Sequence, residues 1–146
     1  MRYIKYCISI VLIFFLSCNK TESTAPAGYV YITVGLGSIA YRNLAYTGGH
    51  YFFEYNTDGE GSIAGVNGVL VYSAEAWKYY NALECTCPLD TCPLTYDKEM
   101  FPELKCECCN STFSGLDGSC FEGEAKGKVL RWYNTSVDRG YLYVRN

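Results

Sequence analysis

The sequence has little positive charge and almost no histidine. Its 12 lysines and arginines are outnumbered by 15 acidic residues and form no basic run, so nucleic acid is not an expected partner. The single histidine, His50, is interpreted as a loop or strand-end residue rather than a ligand. No Gly-Lys-Ser/Thr loop, nucleophile-elbow serine or His-Glu-x-x-His pair is present. The chain therefore carries no common motif for hydrolysis or phosphate transfer.

The N-terminus has an apolar run that is too short for a permanent membrane-spanning helix. Two basic residues precede this run, which extends from Cys7 to Leu16, and the pattern is typical of a secretory signal. Ser17 stands directly before Cys18, and a small residue before cysteine resembles the cleavage site of a bacterial lipoprotein. We expect residues 1–17 to be a lipoprotein signal peptide and Cys18 to be lipidated. The alternative is an ordinary signal peptide with Cys18 as an unmodified thiol.

The segment after the signal is small and polar, with one proline and no apolar periodicity. We interpret residues 18–28 as a lipid-anchored linker, so that the lipid bilayer is one partner, reached through Cys18. The expected location is the bacterial cell envelope, facing either the periplasm or the cell surface. Disulfides persist in such compartments.

Short apolar and aromatic runs separated by glycine and polar turns make up the rest of the chain. Such runs indicate strands, and no long amphipathic helix is visible. We predict an all-β, antiparallel domain over residues 29–146, in the form of a small barrel or sandwich. A further segment, Ser73–Leu83, is predicted to be a turn followed by a strand. The predicted strands are Tyr29–Leu36, Tyr51–Tyr55, Gly68–Ser73, Val129–Tyr133 and Tyr141–Arg145.

Most of the cysteines are concentrated in one part of the chain. Spacing alone allows metal ligands, disulfides or a mixture of both. A first group is followed, after a spacer, by a second group and then by a lone thiol. In that order the residues are Cys85, Cys87 and Cys92, then Cys106, Cys108 and Cys109, then Cys120.

This arrangement resembles a Rieske [2Fe–2S] domain. That family carries a Cys-x-His pair and a Cys-x-x-His pair on two loops, where Cys85-x-Cys87 and Cys106-x-x-Cys109 stand here. The family's second loop reads Cys-Pro-x-His-Gly-Ser-x-Phe, and the stretch from Cys106 to Phe113 follows the same order. The similarity extends from about Gly68 to Val144 and includes a Leu-Arg-x-Tyr strand.

The resemblance implies a fold with the two cysteine loops at one end. It also implies an electron-transfer function with a redox partner in the cell envelope. We therefore expect a component of electron transfer more than an enzyme in its own right. Because cysteine replaces both histidines, such a cluster would have a low, ferredoxin-like potential. The resemblance also implies a disulfide between the loops, as in respiratory Rieske proteins. The implied cluster ligands are Cys85, Cys87, Cys106 and Cys109, with Ser111 hydrogen-bonded to a cluster sulfide and Cys92 bridged to Cys108.

Two alternatives remain open at the level of sequence. If Cys87-Pro88 matches the family's Cys-Pro, then Leu89 falls at the histidine position and Cys85 becomes a spare thiol. The chain would then be a scaffold in which disulfides replace the cluster, acting as a structural or binding lipoprotein. The lack of an Arg-Arg export signal favours this, since clusters are inserted before export. A zinc site is less favoured, because the Cys85–Cys87 spacing is one residue short of a zinc knuckle.

Overall fold

The computed structural model describes residues 23–55 and 63–146, so the predicted signal peptide (1–17) and Cys18 lie outside the described residues. Within these ranges the chain is built mainly from short strands, which confirms the all-β prediction. Two 3₁₀ segments, Ile39–Ala45 and Lys98–Met100, complete the regular structure. The strands are β1 (Val30–Gly35), β2 (His50–Phe53), β3 (Ile63–Ala64), β4 (Val69–Glu75), β5 (Tyr79–Glu84), β6 (Thr95–Tyr96), β7 (Glu103–Cys106), β8 (Ser111–Ser114), β9 (Cys120–Glu122), β10 (Asn134–Asp138) and β11 (Tyr141–Arg145).

The strands form three antiparallel sheets. The first has the order β10-β11-β1-β3, the second β2-β4-β5 and the third β6-β7-β8-β9. Among the described strands none of these sheets closes on itself, so the molecule is an assembly of open sheets and not the barrel that was one expected form.

The second sheet is buried on both faces and joins two hydrophobic cores. Val69 and Val71 of β4 pack into a core with the strands of the first sheet, whereas Leu70 between them packs into a core with the third. Successive side chains of a strand point to opposite faces, so the uninterrupted apolar run of β4 fills both cores at once. The cysteines of the two loops line this second core, except Cys108, which is exposed.

Four of the predicted strands are present within a residue or two of their expected bounds, and the predicted turn and strand over Ser73–Leu83 is present as the end of β4 and β5. The expected strand Val129–Tyr133 is wrong. Its backbone donates from Leu130 to Gly118 in the turn before β9 and from Tyr133 to Ala82 of β5, so the segment crosses from the third sheet to the second and forms only isolated bridges.

The described end of the predicted linker lies against the β domain. Ala25 is buried, and the Arg131 guanidinium donates hydrogen bonds to the carbonyls of Ser23 and Ala25. The Thr24 hydroxyl donates to the carbonyl of Pro88, within the first cysteine loop. In the described ranges no helix combines the length and the apolar character needed to cross a bilayer.

Candidate metal site

The first cysteine loop leaves the end of β5 and turns back on itself. The N–H of Cys87 donates to the carbonyl of Cys92 at 2.8 Å, and the N–H of Thr91 donates to the carbonyl of Cys87 at 3.0 Å. Thr91 adopts a left-handed backbone with φ +62° to complete the turn. The loop thus brings the carboxylate of Asp90 close to the thiol of Cys87.

The second cysteine loop is a tight connection between β7 and β8. Cys106 ends one strand and Ser111 begins the next, and these two residues face each other in the antiparallel register. Asn110 takes the left-handed conformation, with φ +47°. Asparagine tolerates that conformation better than most residues, so it can complete the turn.

A disulfide joins the two loops. Cys92 and Cys108 are bonded, with a Cα–Cα distance of 6.5 Å that lies within the normal range. This confirms the bridge that the family resemblance implied. The bond joins the loop that follows β5 to the loop that follows β7, and so fixes the two loops relative to each other.

Three thiols and one carboxylate meet beside this bridge. Their donor atoms all lie within 4.8 Å of one another, which is close enough for one metal-binding group. The sulfurs of Cys87 and Cys109 are 3.6 Å apart, and the Cys106 sulfur is 3.5 Å from both carboxylate oxygens of Asp90. These residues, Cys87, Asp90, Cys106 and Cys109, are called the Cys₃Asp group below.

The structure does not bring Cys85 into this group. Its side chain is fully buried in the second core, and its thiol contacts the carbonyl of Leu83 at 3.8 Å. Cys85 is therefore a thiol outside the group, and the alignment of either cysteine with the resembling family stays a prediction. Asp90 takes the fourth place, and sequence reasoning missed it.

A sequence signal for Asp90 does exist in the spacing. Cys87-x-x-Asp90 has the same interval as Cys106-x-x-Cys109, so both loops present two donors three residues apart. Carboxylates are ordinary ligands of zinc and iron alongside thiolates. A search for a second Cys-x-x-ligand interval, with carboxylates included, would have found the group.

The electrostatics of the group couple its acid to its thiols. Burial raises the pKa of Cys87, and burial together with the neighbouring Cys109 thiol raises the pKa of Cys106. Burial alone would raise the pKa of Asp90, but hydrogen bonds from the Cys92 N–H and from the three thiols hold that pKa below its ordinary value. A bound cation would replace the thiol protons as the partner of the carboxylate, because metal ligands must be deprotonated.

Ser111 fixes the position of Cys109 through hydrogen bonds to its thiol and its carbonyl. Its buried hydroxyl accepts hydrogen bonds from the Ala125 N–H at 2.9 Å and from the Cys109 thiol at 3.2 Å, and it donates to the Cys109 carbonyl at 3.2 Å. The backbone of Gly123 packs closely against Ser111, since a Cβ at Gly123 would lie 2.6 Å from the Ser111 hydroxyl oxygen. Ser111 is therefore bonded to a cysteine of the Cys₃Asp group, and its expected bond to a cluster sulfide stays a prediction.

The remaining candidates lie outside the group. Cys120 is a free, mostly buried thiol that donates to the Glu122 carbonyl at 3.2 Å. His50 is the first residue of β2, as its interpretation as a strand-end residue predicted, and its ring stacks on Phe101 with centroids 3.8 Å apart. Neither belongs to the Cys₃Asp group.

Comparison of the chain with protein-family models and with curated proteins found no match to either. The fold and the site define the class: a small all-β domain of three antiparallel sheets whose two disulfide-linked loops present a Cys/Asp group that can hold a metal.

Proposed function

We propose that the chain is a Rieske-like lipoprotein domain of the bacterial cell envelope that carries a redox-active metal centre and exchanges electrons with an envelope partner protein. The observation that carries this proposal is the convergence of the four Cys₃Asp donors from two disulfide-linked loops. Three buried thiols with a carboxylate are the donor chemistry of iron and zinc sites.

The residues offer four ligands to a redox-active iron centre, with Asp90 in place of Cys85. Such a centre, when bound, would supply one-electron redox chemistry. Three thiolates carry more negative charge than the two thiolates and two imidazoles of a Rieske centre, so they stabilise the oxidised form and lower the potential.

The protein's own contribution is to hold and shield these donors. Cys87 and Cys109 are almost fully buried, while Leu89 between the first two donors is 42% exposed. A partner protein that contacts the tips of the two loops would therefore exchange electrons with the metal centre over the shortest distance. Ser111 fixes the orientation of Cys109 through its hydrogen bonds.

A second candidate, the disulfide scaffold, is favoured by one specific distance. The sulfurs of Cys87 and Cys109 are 3.6 Å apart, and a disulfide bond is about 2.05 Å long. A small shift would therefore give a second bridge between the same two loops. The domain would then be a structural or binding lipoprotein without a metal.

One experiment separates the two candidates. The full chain is purified from the envelope in detergent, and its visible absorption, iron content and free thiols are measured. The proposed function predicts a coloured, iron-containing protein in which chelation frees the three thiols of the Cys₃Asp group, in addition to Cys85 and Cys120, which are free at the start. A colourless, iron-free protein in which Cys87 and Cys109 are bridged would contradict it and support the scaffold.

A further inference from the structure

We infer that the Cys₃Asp group binds a single tetrahedral metal ion, of the zinc and iron class, rather than a two-iron cluster. The inference rests on the proposed function in taking these four residues as metal ligands, and it deepens that proposal by stating what the centre contains. It follows from the donor distances and from the matching Cys-x-x-ligand spacing of the two loops.

The donor atoms are too close together for two metals. Around one tetrahedral ion with metal–sulfur bonds near 2.3 Å, donors lie about 3.8 Å apart. The observed separations of 3.6 Å between Cys87 and Cys109 and 3.5 Å between Cys106 and Asp90 match that value. In a two-iron cluster the ligands divide between two irons, so donors bound to different irons lie further apart than donors bound to one ion. Here every pair lies within 4.8 Å.

The backbone of the two loops repeats one arrangement. Cys87 and Asp90 are three residues apart in the first loop, and Cys106 and Cys109 are three residues apart in the second. In each loop a residue with a left-handed backbone follows the second donor directly, Thr91 at φ +62° and Asn110 at φ +47°. Each loop is thus a Cys-x-x-ligand turn.

Two such turns facing each other are the arrangement by which structural zinc sites present four donors to one ion. The usual site has four cysteines, and here Asp90 supplies the fourth donor. A tetrahedral thiolate site takes either zinc or iron. The geometry therefore specifies the number of ions and their class.

A single ion also agrees with the way such a site forms. A single ion binds after folding, because its site forms only when the loops meet and binding is coupled to folding. The Cys92–Cys108 bridge forms in the same compartment and holds the loops together for the ion.

The test begins with the full chain purified from the envelope in detergent. Metals are counted by elemental analysis and acid-labile sulfide is assayed. The chain is then stripped with a chelator under anaerobic conditions and titrated with Co²⁺, whose visible spectrum identifies a tetrahedral thiolate site. We expect one metal ion per chain, no labile sulfide, and saturation at one Co²⁺.

Variants locate the ion. Asp90→Asn keeps the size of the side chain and is expected to weaken Co²⁺ binding by at least about tenfold, whereas Asp90→Cys is expected to retain one ion with an altered charge-transfer band. Cys85→Ala is the matched control: it removes a buried thiol outside the group and is expected to leave binding unchanged. Circular dichroism checks that each variant is folded. If folded Asp90→Asn binds as the native chain does, or if Cys85→Ala abolishes binding, the inference is wrong.

The counts separate this inference from the proposed function. One iron supports both. One zinc supports the single-ion site and overturns electron transfer. Two irons with two labile sulfides overturn the single ion and leave electron transfer standing. No bound metal, with Cys87 and Cys109 bridged and no uptake of Co²⁺ by the reduced chain, overturns both.

Discussion

At the scale of single residues, the buried side chain of Glu84 is satisfied without a cation. It is fully buried at the end of β5, and its carboxyl oxygens accept from the backbone of Val66 and Asn67 and from the hydroxyls of Thr86 and Tyr133. Four donors replace the water that burial removes, which is the condition for burying such a group. The network ties the turn before β4 to the start of the first cysteine loop.

Tyr133 gives this network a pH dependence. Burial, followed by its hydrogen bond to Glu84, raises the pKa of the Tyr133 phenol. The unfolded chain therefore loses this proton first, and the free energy of unfolding falls as pH rises above about 10. Tyr133→Phe should lower stability by about 1–3 kcal/mol near neutral pH and flatten that alkaline decline.

Urea unfolding at neutral and alkaline pH measures both effects. Tyr79→Phe is the matched control, because Tyr79 is 58% exposed. If Tyr133→Phe and the native chain lose stability in parallel at high pH, Tyr133 is not the titrating group.

Ser111 has a role that a second substitution can isolate. Its removal would leave the buried Ala125 N–H without an acceptor and the Cys109 thiol without a support. Ser111→Ala should therefore cost about 1–3 kcal/mol in unfolding free energy and weaken Co²⁺ binding to the Cys₃Asp group. Ser136→Ala, at an exposed position of β10, should change neither. Native-like metal affinity in Ser111→Ala would show that Cys109 needs no such support.

At the scale of elements, strands with local signals could be predicted and strands defined by distant partners could not. β11 and β4 are compact apolar runs, and the turn between β10 and β11 has Arg139 and Gly140 at φ +47° and +82°, as a two-residue hairpin requires. β10 itself is polar and was missed, because its pairing with β11 creates it. The third sheet was also missed as a sheet, since its strands carry cysteines and polar residues.

The candidate site shows the same division. Cysteine spacing found the two loops, but it could not tell which cysteine faces which way. Cys85 donates its N–H to Gly68 and so continues the path of β5, with its side chain on the same face as Leu83. Only Cys87, past the end of that path, can reach the second loop. The exclusion of Cys85 and the entry of Asp90 both follow from the point at which the strand ends.

The disulfide between the loops is an element-scale feature with a measurable effect. Cys92 and Cys108 are 16 residues apart, and closing a loop of about this length stabilises a protein by about 3 kcal/mol. Replacing both cysteines by serine should lower the free energy of unfolding by about that amount and weaken metal binding, since the two turns would no longer be held together.

Urea unfolding and Co²⁺ titration of this double variant check the expectation. Cys120→Ser removes a thiol that forms no bridge, and it is the control. A double variant with native stability and native affinity would show that sheet pairing alone positions the loops.

At the scale of the whole molecule, the chain enters the domain beside the candidate site. Thr24 bonds to Pro88, the neighbour of Cys87, and Thr24 is the sixth residue after Cys18. Six residues span at most about 20 Å. If Cys18 carries lipid, the first cysteine loop lies within that distance of the bilayer surface. The turn between β10 and β11 lies at the other end of β1, where Leu36 bonds to Gly140.

This arrangement predicts an orientation on the membrane. A fluorescent amino acid at Leu89, which is 42% exposed, should be quenched by nitroxide lipids in reconstituted vesicles more strongly than the same label at Arg139. Cys18→Ala should release the chain from vesicles and abolish quenching at both positions. Stronger quenching at Arg139 would place the loops away from the bilayer and favour a soluble partner. Stronger quenching at Leu89 would favour a membrane-bound partner, because the loops that carry the centre would face it.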